Sequence, residues 1–149
     1  FSGPKRYTNQ ILRNFNHIEL KKDPKGKKMA RLITSPSIIE SAGNKPKVIR
    51  EYVGLVNSKT KRISMAHMSS PKGWEEPGQR PEFHEYTLVL KGSLNVRTKS
   101  EVIKVDPGQA IITEPGEWVK YDTKNSDTEY IAVCLPAFEM ETVHRDEDA

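Results

Sequence analysis

From residue 48 onward, apolar and polar positions alternate in short runs separated by turn-forming residues. The runs are VIREYVGLV (48–56), RISMAHM (62–68), FHEYTLVL (83–90), SLNVRT (93–98), EVIKV (101–105), QAIIT (109–113), EWVKYDT (117–123) and EYIAVCL (129–135). A period of two over four to eight residues is the mark of a strand with one face buried. Between the runs stand GWEEPGQRP, KG, DPG, EPG and KNSD, rich in the residues that close tight turns. No helical stretch intervenes from which parallel βαβ units could be built. The pattern predicts an all-β, antiparallel fold of the jelly-roll or β-barrel kind.

Upstream the texture is different. Tyr7, Ile11, Phe15 and Ile18 recur at three- or four-residue spacing and predict a short amphipathic helix within 4–20. The run KKDPKGKK ends it, and Ser35-Pro36 and SAGNKPK (41–47) read as turns. The expected division is therefore a basic extension over 1–47 and a β domain over 48–149.

Strand parity says which side chains share a face. In FHEYTLVL, Phe83, Glu85, Thr87 and Val89 fall together, opposite His84, Tyr86, Leu88 and Leu90. In RISMAHM, Ile63, Met65 and His67 fall together; in EWVKYD, Glu117, Val119 and Tyr121 oppose Trp118 and Lys120. Both faces of FHEYTLVL are substantially apolar. One should line the interior, and the other should be covered by the N-terminal segment or a second subunit, which makes a homodimer the expected assembly.

Composition narrows the class. At 149 residues the chain is one domain's length. It has no apolar run of the ~18 residues a membrane span requires. FSGPKRYTNQ lacks the apolar core of a signal peptide, and lone Cys134 reads as a small core residue in a reducing compartment. A cytoplasmic protein without a membrane partner is expected. Charge is uneven: residues 1–62 carry 15 Lys/Arg against 4 Asp/Glu, the remainder 9 against 16. The basic run is broken by Asp23, Pro24 and Gly26 and has no interleaved aromatics, so it reads as a solvated arm rather than a nucleic-acid site.

The glycines and turns of 73–123 resemble those of the cupin superfamily, in particular its small single-domain members with the RmlC-like jelly roll. The family's first motif is Gly, five residues, His-x-His, three or four residues, Glu, six residues, Gly. Gly73, Glu85 and Gly92 stand on that frame, and the histidine positions hold Gln79 and Pro81. The second is Gly, five residues, Pro-x-Gly, two residues, His, three residues, Asn. Gly108 and Gly116 match; Glu114, Val119 and Thr123 occupy the Pro, His and Asn positions. The resemblance covers about residues 48–140 and implies the fold. Members with full motifs hold a divalent transition metal on three His and one Glu, and here only Glu85 remains of the four. No cofactor is expected, and the metal alternative is a rearranged set of His67, His84 and Glu85, which requires a bulge because His84 and Glu85 point oppositely in a regular strand.

The implied ligand is a small molecule. Glu85, facing an apolar interior, would be desolvated and poised as acid or base. Tyr121 shares the parity of Val119, at a cavity-wall position in the family, where a phenol can bond a polar ligand; His67 would assist. Gln79 offers an amide to the same cavity, and Trp74, Arg80 and His84 stand near its mouth. Two readings stay open beside that of a metal-dependent enzyme with the rearranged ligand set. One is a metal-independent lyase or isomerase with Glu85 as acid/base; the other is a non-catalytic binding or sensing module using the same residues. No nucleophile elbow, phosphate-binding glycine loop or zinc-binding Cys cluster is present.

Overall fold

The computed structural model describes residues 29–147. The helix expected within 4–20 and the basic run 21–28 lie outside them. All eight expected strands form, most with trimmed ends, while β3, β5 and β10 each run one or two residues past the expected bounds: β2 (Val48–Val53), β3 (Ser64–Ser70), β5 (His84–Lys91), β6 (Leu94–Arg97), β7 (Val102–Val105), β8 (Ala110–Thr113), β9 (Lys120–Thr123) and β10 (Thr128–Leu135). Two more are too short to carry a periodic signal: β1 (Ser37–Ile39) and β4 (Trp74–Glu75). One four-residue helix, α1 (Met140–Val143), follows the last strand.

Every ladder is antiparallel. A six-stranded sheet runs β1-β2-β3-β10-β5-β8, and a four-stranded sheet runs β4-β9-β6-β7. The closed barrel expected from the strand count is not formed. Among the described residues no ladder joins the sheets, and the fold is two facing sheets of jelly-roll type. Short strands explain this: three- and four-residue edges at β1, β7 and β8 offer few backbone groups with which to close the seam.

The space between the sheets holds the main apolar cluster. Trp74, Val89, Leu94, Val96, Val105, Val119, Tyr121 and Tyr130 are all buried there. A second cluster of Phe83, Cys134 and Val143 lies at one end, with Phe138 edge-on to Phe83 at 5.8 Å between ring centroids. β5 spans both clusters: Phe83 just precedes it, Thr87 and Val89 are buried, and Tyr86, Leu88 and Leu90 are exposed. Burial and exposure therefore follow the alternation, because the period of two turns each apolar residue either inward or outward.

Two connections place further side chains. The turn at 42–45 clasps β4: Asn44 N–H donates to the Glu75 carbonyl, Asn44 Oδ1 accepts from Glu75 N–H, and Trp74 Nε1 donates to the Ala42 carbonyl. The loop after β4 lies between the start of β9 and the C-terminal segment. Gln79 exchanges backbone bonds with Val119, Asp146 N–H donates to the Gly78 carbonyl, and Arg80 N–H donates to that of His144. Among the described residues no helix is long and apolar enough to cross a membrane.

Candidate functional site

Glu85 occupies the junction of the two apolar clusters. It lies opposite Thr113 in the β5–β8 ladder and opposite Cys134 in the β5–β10 ladder. Its carboxylate accepts a hydrogen bond from the Tyr121 hydroxyl at 2.9 Å. The Tyr121 oxygen stands 3.3 Å from Thr113 Oγ1, which can donate in turn. Tyr121 itself belongs to the main core, so its ring is fixed by packing before the hydroxyl engages.

The carboxyl faces a cavity of about 70 Å³. Lys47, Glu51, Glu76, Gln79, Glu85 and Arg145 supply its charged and amide lining, and Ala66, Met68, Phe83 and Ala132 belong to its apolar wall. A wider vestibule of about 410 Å³ adjoins it, sharing Ile39, Glu40, Ala42, Glu51, Phe138 and Arg145 with the inner chamber. Several of the polar groups come from connections rather than strands. The 42–45 clasp delivers Lys47, the loop after β4 delivers Glu76 and Gln79, and the C-terminal segment delivers Arg145.

Burial sets the electrostatics. Desolvation raises the Glu85 carboxyl from an ordinary 4.5 to about 7; the Tyr121 bond lowers it and the neighbouring Glu76 raises it further. Desolvation likewise raises Glu76, against the pull of Lys47 and Arg145. Burial pulls the Lys47 ammonium down, but Tyr130, Glu76 and Glu85 outweigh that, and its pKa is raised. The ammonium also lies 4.1 Å from the Trp74 ring centroid, a cation–π contact. Glu51 is raised by burial although its Oε2 accepts the N–H groups of Val56 and Asn57. Desolvation keeps the Tyr121 phenol protonated well past its usual range, and burial pushes the Cys134 thiol up as well.

The candidates named from sequence separate clearly. Glu85, Tyr121 and Gln79 come together at or beside the cavity. Trp74 is fully buried in the core and sits under Lys47, so it is not a mouth residue. Arg80 is exposed and donates to the Gly116 carbonyl rather than meeting Glu85. His84 lies on the outward side of β5, 3.0 Å from Glu114. His67 has the parity of exposed Met65, whereas Ser64, Ala66 and Met68 line the cavity. No bulge interrupts the ladder at His84–Glu85, so the regular alternation keeps the two side chains apart. Neither histidine shares a site with Glu85.

A metal is therefore poorly served. At the family's ligand positions Glu85 is joined by Gln79, Pro81 and Val119, of which only the glutamine has a side-chain donor atom, an amide. Among the described residues no group of three or more His, Cys, Asp or Glu side chains is arranged to hold a metal ion. The donor set does not fit the three-His, one-Glu pattern.

Sequence reading did not single out Lys47, Glu76 or Arg145. Each lies in a turn, a loop or the tail, where no periodicity points a side chain anywhere. Glu76 stands in the conspicuous GWEEPGQRP stretch, three residues before Gln79, and that proximity was the one available sign.

Comparisons with solved structures agree on the fold. The polyketide cyclase RemF from Streptomyces resistomycificus is similar with a TM-score of 0.65 and 19% identity, over 81% of this chain and 87% of that one. An oxalate decarboxylase variant from Bacillus subtilis gives 0.64 and 13%, over 76% of this chain and 31% of that one. An RmlC-like cupin from Shewanella frigidimarina gives 0.57 and 14%, over 70% and 86%. The chain thus has a cupin-type fold. No family model matches it. Among curated proteins, the endoribonuclease YbeY of Myxococcus xanthus is 36% identical over 99 residues, which is 66% of this chain and 34% of that protein. The matched part spans about a third of the length of this relative.

Proposed function

We propose that this chain is a small-molecule-binding cupin in which Glu85 exchanges a proton with the bound ligand without help from a metal, in chemistry of the lyase or isomerase kind. The observation that carries the reading is the Tyr121–Glu85 hydrogen bond at 2.9 Å beside the inner cavity, on a carboxyl whose pKa lies at about 7. Near neutrality both protonation states of such a group are populated, so one residue can accept a proton and return it. For a carbonyl ligand, the C–H bond breaks, the proton passes to Glu85, and the electron pair moves onto the carbonyl oxygen. The charged Lys47 ammonium would stabilise that oxygen. Tyr121, held protonated, keeps the carboxyl aimed.

The name of the Myxococcus relative belongs to a protein three times as long as the shared segment, and nothing in this cavity suggests phosphodiester cleavage. Nuclease activity is not part of the proposal.

A second copy of the chain is the proposed partner, through the outward face of the six-stranded sheet. The register aligns Ile112, Tyr86, Val133 and Met65 across four adjacent strands. Three of them, Ile112, Tyr86 and Met65, are exposed, and a homodimer would cover them.

Proton transfer is tested by incubating the protein with pyruvate and 2-oxobutyrate in D2O and following deuterium entry beside the carbonyl by NMR. Incorporation above the buffer rate that Glu85→Gln abolishes is the expected result. Exchange that persists in the variant, or none in the native protein, would leave the non-catalytic binding reading in its place.

A further inference from the structure

We infer that the ligand of this cavity is a small organic carboxylate with an apolar tail, its head held by Arg145 and Lys47 and its tail lying in the vestibule. The inference rests on the proposed binding function and specifies its ligand class.

The first observation is an unanswered donor. Among the described residues, Arg145 Nε is the buried side-chain nitrogen or oxygen without a hydrogen-bond partner. Leaving such a group unpaired is costly, and a guanidinium has donors only, so what it calls for is an acceptor. The rest of that side chain is weakly engaged: Nη1 approaches the Met140 sulfur at 3.7 Å, and the guanidinium lies 5.9 Å from the Phe138 ring centroid. Arg145 lines both the inner chamber and the vestibule.

The second observation is the balance of charge. Lys47 and Arg145 line the inner chamber, yet neither stands in an ion pair of the kind that joins His84 to Glu114, Lys104 to Asp106, Lys124 to Glu75 and His144 to Glu82. The carboxyls facing the same space are differently placed. Glu51 already accepts two backbone N–H groups, and Glu40 is exposed at the rim. Glu76 and Glu85 are pushed toward their neutral forms by burial, while the Lys47 ammonium, its pKa raised, keeps its charge. An amine would compete with two cations for partly neutralised acids. A carboxylate meets the orphaned donor of Arg145 and the Lys47 ammonium, which is held by Tyr130 and the Trp74 ring but by no carboxylate, and arginine suits it through planar, paired donors.

The third observation is shape. The inner chamber, about 70 Å³, suits a head group, whereas Ile38, Leu55, Val56, Phe138 and Met140 give the adjoining vestibule an apolar wall along which a tail can lie, with the exposed carboxylates of Glu40, Glu139 and Glu141 turned to solvent at its edge. Burying each methylene there favours a chain over a bare anion.

Calorimetric titration at pH 6 and pH 8 with acetate, hexanoate, hexylamine and hexanamide tests this. Hexanoate is expected to bind at least about tenfold more tightly than the amine, the amide or acetate, since the charged head and each buried methylene both contribute. Arg145→Gln and Lys47→Gln should each weaken hexanoate about tenfold with unchanged melting behaviour; if one fails to fold, the other reads the same charge. Equal or tighter binding of hexylamine, no binding of hexanoate, or indifference to both substitutions would overturn the ligand class. Glu85→Gln separates this inference from the one beneath it. Native binding should strengthen as pH falls from 8 to 6 and Glu85 loses its charge, and the variant should strengthen less, keeping only what Glu76 and Glu51, raised by burial in the same chamber, contribute. A flat native profile with hexanoate still bound removes the acid–base role and keeps the carboxylate class. Glu85-dependent deuterium exchange without hexanoate binding does the reverse.

Discussion

Glu85 is a carboxyl kept close to neutrality by its surroundings, and that has a consequence for stability. Its folded pKa of about 7 lies above the ordinary 4.5, so between these values the folded protein binds more protons than the unfolded chain. Stability therefore falls as pH rises through this window and levels off above it. The destabilisation above pH 7 amounts to about 3 kcal/mol, from ~1.4 kcal/mol for each pH unit of displacement. Glu85→Gln removes the ionisable group while keeping a polar side chain of similar size. It is expected to be more stable than the native protein at pH 8, by up to that amount, and nearly equal at pH 4. Urea unfolding at the two pH values measures the difference. Glu76 and Glu51 titrate in both proteins and largely cancel in the comparison, so a difference independent of pH would mean that Glu85 is not desolvated. Trp74 shows the opposite case at this scale: a large aromatic beside a motif glycine looks like a binding residue in the sequence, yet packing and its bond to the Ala42 carbonyl account for it.

Among the elements, the turns carry as much of the site as the strands. Gly92 closes the β5–β6 turn with φ +78°, and a Cβ there would overlap the Asp127 carbonyl oxygen and Thr128. Gly108 has nearly the same backbone, φ +80°, with open space around it. Both lie on the glycine frame, but they do so for different reasons. Gly108→Ala should cost about 1 kcal/mol, the conformational penalty alone. Gly92→Ala should cost about 3 kcal/mol or more, because backbone rather than a flexible side chain must yield. Thermal unfolding of the pair checks this, and equal losses would show that the close approach to Asp127 carries no weight. The glycine frame was legible in the sequence because a left-handed turn leaves few alternatives to glycine. β1 and β4 were not legible: runs of three and two residues are shorter than the pattern that announces a strand. Their neighbours pair with them through backbone groups that every sequence possesses.

The whole molecule leaves one sheet face uncovered among the described residues. Tyr86, Leu88, Leu90, Met65 and Ile112 are all exposed on the six-stranded sheet, a contiguous apolar area of the kind that marks an association surface. Analytical ultracentrifugation at micromolar concentration should show twice the chain mass, and Leu88→Glu should return it to the chain mass with the fold intact by circular dichroism. A native protein sedimenting as a single chain would contradict the dimer. The face belongs to the same alternation that buries Glu85, since each inward residue of β5 has an outward neighbour.

What could be read along the chain was periodic and local: the strands with a solvated or apolar face, the tight turns, and the inward parity of Glu85 and Tyr121. These depend on backbone geometry that repeats every two residues, so a linear pattern encodes them. The closure of the sheets, the fate of both histidines and the gathering of Lys47, Glu76 and Arg145 around Glu85 were decided in three dimensions. Those three residues lie 38, 9 and 60 positions from Glu85, in connections without any period. Only the clasp at 42–45, the loop after β4 and the C-terminal segment bring them to one cavity, and electrostatic coupling depends on distance in space rather than along the chain.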